Sequence, residues 1–424
     1  MKKTLIILVL TVFIGTGHLI AQLPVLLKDI NPTSTAYNGP SIGKPVTLNG
    51  KTIFIANDGV HGYELWTTDG TELGTQMLLD INPAAGESGV HYDEGYDKSL
   101  SEPVNGKVFF SASSNGLDFE LWVTDGTVLG TKRVKNTPLN LSAYHGPRTF
   151  TVLGDKVYYF LNDQLWVSNG KASGTKMIEA KATGDLLFLC AYNNKLLYYS
   201  YDSIDNSEPW DLYITDGTIG GGSLLIDANQ YVVQYNPINV ELNGLFYFVH
   251  NDGIHGYEIW VTDVTPGGTH MLKDIISNSA ATDGNGNEIR SLTVFDGKLY
   301  LAADTNGLEG GVNYQPWVSD GTEAGTVLLK DIECIPDFKV FNNQLFFGGR
   351  NSGGLTNYEL WVSDGTDAGT TLFKDVRIWE NFPPPHRATF MSWVIKCISQ
   401  QRLQVLHLTL NCLKQTELPA IPLW

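Results

Sequence analysis

A thirteen-residue phrase, repeated seven times, constrains this chain more than any other feature. YELWTTDGTELGT begins at Tyr63, FELWVTDGTVLGT at Phe119, DQLWVSNGKASGT at Asp163 and WDLYITDGTIGGG at Trp210. YEIWVTDVTPGGT follows at Tyr257, YQPWVSDGTEAGT at Tyr314 and YELWVSDGTDAGT at Tyr358. The shared aromatic falls at Trp66, Trp122, Trp166, Tyr213, Trp260, Trp317 and Trp361, with gaps of 56, 44, 47, 47, 57 and 44 residues. Such a period means one supersecondary unit stacked on copies of itself, because a unit this small cannot bury its apolar faces alone.

Each unit reads as four short strands. Segments such as KPVTLNG–KTIFIAND and LTVFDG–KLYLAAD are strand pairs broken at Asn-Gly or Asp-Gly, the chemistry of a two-residue hairpin with positive φ. The phrase itself gives a third strand. The turn D-G-T-x-x-G-T then leads into a fourth, LLKDI or a variant. Asp69, Asp125, Asp216, Asp320 and Asp364 suit that turn, since aspartate side chains bond backbone N–H groups two residues on. Four antiparallel strands per repeat predict an all-β chain, a β-propeller of about seven four-stranded blades. A parallel β-helix is the runner-up, but its usual repeat is shorter. In a propeller the recurrent aromatic fills the gap between neighbouring sheets, each ring burying roughly 150–250 Å².

The phrase resembles the bacterial ELWxxDGT-repeat family across residues 24–376. That resemblance implies an exported, propeller-type protein, often at the cell surface, and carries no enzymatic activity. Three repeats depart from it: Asn169-Gly170 replaces Asp-Gly, Tyr213 replaces Trp, and Val264-Thr265-Pro266 follows Asp263. These blades are expected to keep the turn with altered geometry. The C-terminal sorting domain that ends many members of the family is not visible.

The ends differ from the middle. Lys2 and Lys3 precede an apolar run, Leu5 to Ile14, and small residues up to Ala21, so residues 1–21 read as a signal peptide, too short to span a bilayer. Residues 22–376 hold 21 Lys/Arg against 43 Asp/Glu, which argues against nucleic-acid binding. Pro24 to Pro32 matches a fourth strand that precedes any complete unit, a candidate clasp for an incomplete blade. Residues 377–424 contain neither glycine nor aspartate. Codons chosen for Leu410–Trp424 and read two nucleotides later give ELFETDGT, so this tail reads as the frame-shifted remnant of a further repeat that would have supplied an eighth blade.

Signatures of chemistry are sparse: no GxSxG, HExxH or CxxC occurs. The expected function is therefore an exported, non-catalytic propeller binding a protein or glycan at the cell surface or outside the cell, with no cofactor and no transmembrane segment. Alternatives are a carbohydrate hydrolase with paired carboxylates in a central pocket, or a purely structural repeat protein. The connector between the first two units offers Glu87, His91, Tyr92, Asp93 and Glu94 as ligand-binding candidates. The hairpins Asp58-Gly59-x-His61-Gly62 and Asp252-Gly253-x-His255-Gly256 offer His61 and His255. Asp283, Asn285 and Asn287 alternate like the first half of a calcium loop, although Glu288 and Val294 stand where that loop needs glycine and glutamate. Cys190 and Cys334 are the two cysteines of the repeat region, with no indication that they pair.

Overall fold

A computed structural model describes residues 27–31, 44–84, 86–91, 99–136, 146–180, 186–201, 210–227, 238–252, 254–276, 289–304, 314–351 and 358–374. The expected signal peptide and the tail at 377–424 lie outside the described residues. The fold is all-β, a propeller of consecutive antiparallel blades. Two compact units divide the chain, Met1–Leu225 and Ile226–Trp424. Blades one to four belong to the first, the last strand of blade four running across the boundary. Blades five to seven belong to the second.

Blade one shows the pattern. Its strands Val46–Leu48, Lys51–Asn57, Tyr63–Thr68 and Gln76–Leu79 pair in sequence order. The first hairpin turns at Asn49-Gly50, both with positive φ (50° and 78°), the mirror-image turn that matches strand twist. Register pairs Phe54 with Trp66 and Ile55 with Leu65, so apolar side chains alternate onto both faces.

Neighbouring blades close these faces. In the first unit, Ile53, Ile55 and Leu65 of blade one share a core with Val108, Phe110 and Trp122 of blade two. Phe109, Leu121 and Val123 share the next with Val157, Tyr159 and Trp166 of blade three. Tyr213 of blade four packs with Phe160 and Leu165 of blade three. In the second unit, Trp317 of blade six packs onto Ile259 and Val261 of blade five, and Trp361 of blade seven onto Tyr300 and Ala302 of blade six. In blades two, three, four, six and seven the repeated aromatic thus fills the space against the preceding blade. At Trp66 of blade one it is Ile30 that packs, with Phe54 and Ala56.

That contact identifies the role of residues 27–31. Lys28 Nζ donates to Thr75 O at 2.6 Å. Lys273 at the exit of blade five makes the same bond to Thr326 O of blade six, at 2.8 Å. The N-terminal segment is therefore seated on blade one as a fourth-strand exit sits on the next blade. Within 27–31 it forms no ladder, so the expected clasp strand is present as a seat rather than a paired strand.

Two blades depart from the expected four simple strands. Blade two is a three-stranded sheet, its first strand reduced to the isolated bridges Leu100↔Phe110 and Val104↔Lys107. In blade seven the first strand splits into Ile332–Cys334 and Lys339–Phe341. Both breaks fall at a proline, Pro103 and Pro336, which has no N–H to give a ladder.

The repeat turn is a closed set of hydrogen bonds. In blade one Asp69 Oδ1 accepts from Thr71 N (2.9 Å) and Thr71 Oγ1 (2.7 Å). Thr71 Oγ1 in turn accepts from Gly74 N (2.9 Å). Thr75 Oγ1 donates to Thr71 O, which leaves Thr68 Oγ1 as donor to Thr75 Oγ1, while Gly70 N donates to Thr68 Oγ1. A Cβ on Gly74 would collide with the Asp69 carboxylate, which is why the second glycine recurs. The threonine hydroxyl and amide donors hold Asp69, Asp216, Asp263, Asp320 and Asp364 below the usual carboxylate range. At Asp125 the threonine hydroxyl is again the largest influence, and it prevails over desolvation. Blade three keeps the turn with Asn169 Oδ1 accepting from Lys171 N at 3.1 Å. Blade five places Val264 where the others have glycine, at φ 67°.

Candidate functional site

The second-to-third strand hairpin of blade one folds around Asp58. Its Oδ1 accepts from Val60 N (2.9 Å) and His61 N (2.8 Å), and its Oδ2 lies 2.7 Å from His61 Nδ1. Burial pushes the Asp58 carboxyl upward. His61's amide and imidazole and Val60's amide outweigh that and hold it below the usual range. The same imidazole–carboxylate bond raises the His61 pKa above its ordinary value.

Blade five repeats this arrangement: Asp252 Oδ1 accepts from Ile254 N and His255 N, both at 2.8 Å, and Oδ2 lies 2.7 Å from His255 Nδ1. Blade two holds the related form, with Asn115 Oδ1 accepting from Leu117 N and Asp118 N at 3.0 Å. There the fourth hairpin residue is Asp118 instead of histidine.

Against the blade-one hairpin runs the connector to blade two. Gly86 N donates to Val60 O (2.9 Å), Tyr63 N to Ser88 Oγ (3.0 Å) and Val90 N to Tyr63 O (2.9 Å). Gly62 lets it approach: a Cβ there would stand 2.6 Å from the Glu87 carbonyl. Beyond, Ser113 N donates to Gly89 O (2.8 Å) and His91 N to Ser111 O (3.0 Å), so the connector straps one blade to the next. The His91 ring meets the Phe119 edge at 5.1 Å.

Beneath the strap lies Glu64, fully buried on the third strand. Its carboxylate accepts from Gly89 N (2.8 Å), Ile81 N (3.2 Å) and Asn82 N (3.4 Å). Desolvation is the largest influence on it, opposed by these bonds and helped by the Asp80 charge, and its pKa rises to about 7. Glu258 of blade five is its counterpart, accepting from Ile275 N (2.9 Å) and Ile276 N (2.7 Å), with a pKa pushed to about 8, again mainly by burial. At the same repeat position in blade two, Glu120 is paired instead with Arg133, at 2.8 Å.

Of the residues singled out from sequence, His61, Glu87 and His91 belong to this hairpin and strap. Tyr92, Asp93 and Glu94 lie outside the described residues. So do Asp283, Asn285 and Asn287, the calcium candidates. His255 repeats the blade-one geometry in the second unit. Among the described residues no three His, Cys, Asp or Glu side chains are grouped to hold a metal ion. Cys190 and Cys334 are both in the thiol form and are not joined to each other. Among those residues no helix is long and apolar enough to cross a membrane. Glu64 and Glu258 were not singled out. They occupy the glutamate of Y-E-L-W and Y-E-I-W, a position that reads as an exposed strand residue until the connector is seen to cover it.

No protein-family model and no curated protein matches the sequence. Solved structures do. A puromycin hydrolase is 13% identical, covering 81% of this chain and 55% of its own, with a TM-score of 0.40. Oligopeptidase B from Leishmania major is 12% identical, covering 80% and 49%, at 0.42. The β-propeller domain of the Trilobed protease from Pyrococcus furiosus is 13% identical, covering 80% of this chain and 99% of its own, at 0.36. The chain thus spans about half the length of the whole peptidases it matches. Against the expectation of a non-catalytic binder, the solved structures with similar folds are peptidases or a peptidase's propeller domain, and at these identities and TM-scores the likeness reaches the fold alone. The physical reason is that the repeat residues are used up in turns and blade packing. Their lack of catalytic motifs therefore says nothing about the chemistry such a propeller accompanies.

Proposed function

We propose that this chain is the propeller module of a peptidase system. It receives polypeptide on the strap-and-hairpin end of its blades, and an associated hydrolase domain, in the same polypeptide or in a partner, breaks the peptide bond. The observation that carries this reading is the aspartate-fixed histidine, built identically at Asp58–His61 and Asp252–His255. An imidazole tethered through Nδ1 presents Nε2 as a directed hydrogen-bonding group. Its raised pKa keeps it protonated over a wider pH range than an ordinary imidazole, which suits a peptide carbonyl or terminal carboxylate. Beside it the exposed Glu87 stands on a backbone strap already locked in place. The ELWxxDGT phrase and the apolar leader at Leu5 to Ile14 support placing this work outside the cytoplasm.

The test is fluorescence polarisation with a panel of labelled oligopeptides, run beside hydrolysis of fluorogenic peptide amides. Peptide binding weakened about tenfold by His61→Ala, about 1.4 kcal/mol, is the expected result. Absence of peptide binding, or binding indifferent to both His61→Ala and His255→Ala, would overturn the reading.

A further inference from the structure

In an antiparallel meander the first-to-second and third-to-fourth turns share one end of the sheet, opposite the hairpin and the strap. In the first unit these turns also meet across blades. Asn49 Nδ2 donates to Asp125 O (3.4 Å), Asn105 Nδ2 donates to Asp155 O (3.0 Å), and Gly217 lies against the Tyr158 hydroxyl. Blades one to four thus present a common turn end. Its composition departs from that of the acidic chain as a whole. Lys51, Lys107, Lys156 and Lys195 stand at the first turns, and Lys132, Lys171 and Lys176 in or beside the later ones. The same turns hold five carboxylates, Asp69, Glu72, Asp125, Asp155 and Asp216. None of the seven lysines is ion-paired with another described residue. Lys51, Lys107 and Lys195 act through space on Asp69, Asp125 and Asp216, which are already bonded to their own turn threonines. At the equivalent turns of blades five to seven the balance reverses, with Lys298 alone against six Asp or Glu.

The two variable residues of D-G-T-x-x-G-T form the tip of each later turn. In the first unit these tips are apolar and bare: Leu73 and Leu129 are each 93% exposed, Ile219 67% and Val128 56%. Blades five to seven place Pro266-Gly267, Glu323-Ala324 and Asp367-Ala368 there. The turn is closed by its own aspartate and threonine, so the tip residues are not needed to hold it. We propose that the turn end of blades one to four docks on a bilayer containing anionic lipid, with Leu73, Val128, Leu129 and Ile219 entering the acyl boundary. The lysines between the tips lie at the level of the headgroup phosphates, their apolar stems reaching down and their ammonium groups staying in water. A protein partner packs against a continuous apolar patch, whereas these side chains stand on separate turns, each able to enter a fluid layer by itself. Charge sets the orientation. Residues 22–376 carry 43 Asp/Glu against 21 Lys/Arg, so an anionic surface repels the body and attracts this end. The strap-and-hairpin end of these four blades then faces away from the lipid.

The experiment is flotation of the full chain with phosphatidylcholine vesicles, with and without about 30% phosphatidylglycerol. Binding should require the anionic lipid and should weaken as salt rises from about 0.05 M to about 0.5 M. A tip variant carrying Leu73→Ser, Val128→Ala and Leu129→Ser should lose about tenfold or more in vesicle affinity. It gives blade two the Ala-Ser pair that blade three already has at Ala172-Ser173, so its melting temperature should match that of the parent. Lys156→Gln with Lys171→Gln should weaken binding about tenfold and flatten the salt dependence. His61→Ala, on the other end, should bind vesicles as the parent does, so failure of the peptide reading and failure of this one are distinguishable. Absence of binding to the anionic vesicles, or binding that the folded tip variant retains in full, would overturn the proposal. Soluble poly-glutamate bound as tightly as the vesicles would assign the surface to an acidic polypeptide and overturn it too.

Discussion

At the scale of single residues, the turn residues carry the most testable consequences. Asp125 Oδ1 takes both the amide and hydroxyl of Thr127, at 2.9 and 2.6 Å. Asp125→Ala leaves both donors to solvent and should cost about 1 kcal/mol, read as a lowered midpoint in urea. Val264 gives the opposite case. It is β-branched, sits at φ 67°, and occupies the place held at 82–93° by Gly170, Gly321 and Gly365. A left-handed conformation costs a residue with a Cβ roughly 1–2 kcal/mol, so Val264→Gly should raise the melting temperature of the protein. No change on that substitution would mean that packing of the valine offsets its backbone.

At the scale of the blade, the informative contacts are those one sheet makes with the next. Gly217 of blade four, at φ 78°, lies against the Tyr158 hydroxyl of blade three, and Gly321 of blade six against that of Tyr247 in blade five. Alanine at Gly217 meets both the backbone penalty and the phenol, and should cost more than the roughly 1 kcal/mol of an ordinary exposed Gly→Ala change of the wrong sign. The double mutant with Tyr158→Phe should recover part of that loss, which separates the collision from the backbone effect. Trp122 fills the space against blade one, so Trp122→Ala should cost about 3–5 kcal/mol. Its Nε1 is buried without a hydrogen-bond partner, as are those of Trp66, Trp166, Trp260 and Trp317, whereas Trp361 Nε1 donates to Gly349 O at 2.9 Å. Phenylalanine should therefore replace Trp122 at a much smaller cost than alanine does, and should be tolerated less well at Trp361. Equal losses at the two positions would argue that the indole N–H is irrelevant.

At the scale of the molecule, two sets of carboxyls pull stability in opposite directions with pH. The turn aspartates have native pKa values below the ordinary one, so their contribution is present above about pH 4 and is lost as pH falls further. Glu64 and Glu258 have raised values, so theirs is present in acid and is lost as pH rises through about 7 and about 8. Thermal unfolding across pH should accordingly show greatest stability between about pH 5 and 6.5, with a decline on both sides. Glu64→Gln with Glu258→Gln should flatten the alkaline side alone. A maximum above pH 8 in the parent would contradict the assignment.

The sequence by itself determined the architecture, because a turn such as Asp69-Gly70-Thr71 is satisfied by its own neighbours and leaves a mark that recurs in every blade. Local hydrogen bonding and strand alternation need no distant information. The repeated aromatic was legible for a related reason: stacking identical sheets poses the same space-filling problem each time. The paired histidines were visible as Asp-Gly-x-His-Gly, but not the 2.7 Å bonds that fix them. Only the tertiary structure decided the fate of Glu64, Glu120 and Glu258, which occupy one motif position. One glutamate meets an arginine, and two are buried under a connector, since burial and charge pairing depend on which loop folds across the strand. The same holds for Lys28 and Ile30, whose phrase resembles a fourth strand and whose place on blade one follows from contacts 24 to 47 residues away. A motif records what a segment does for itself; what covers it is set by the segments that reach it through space.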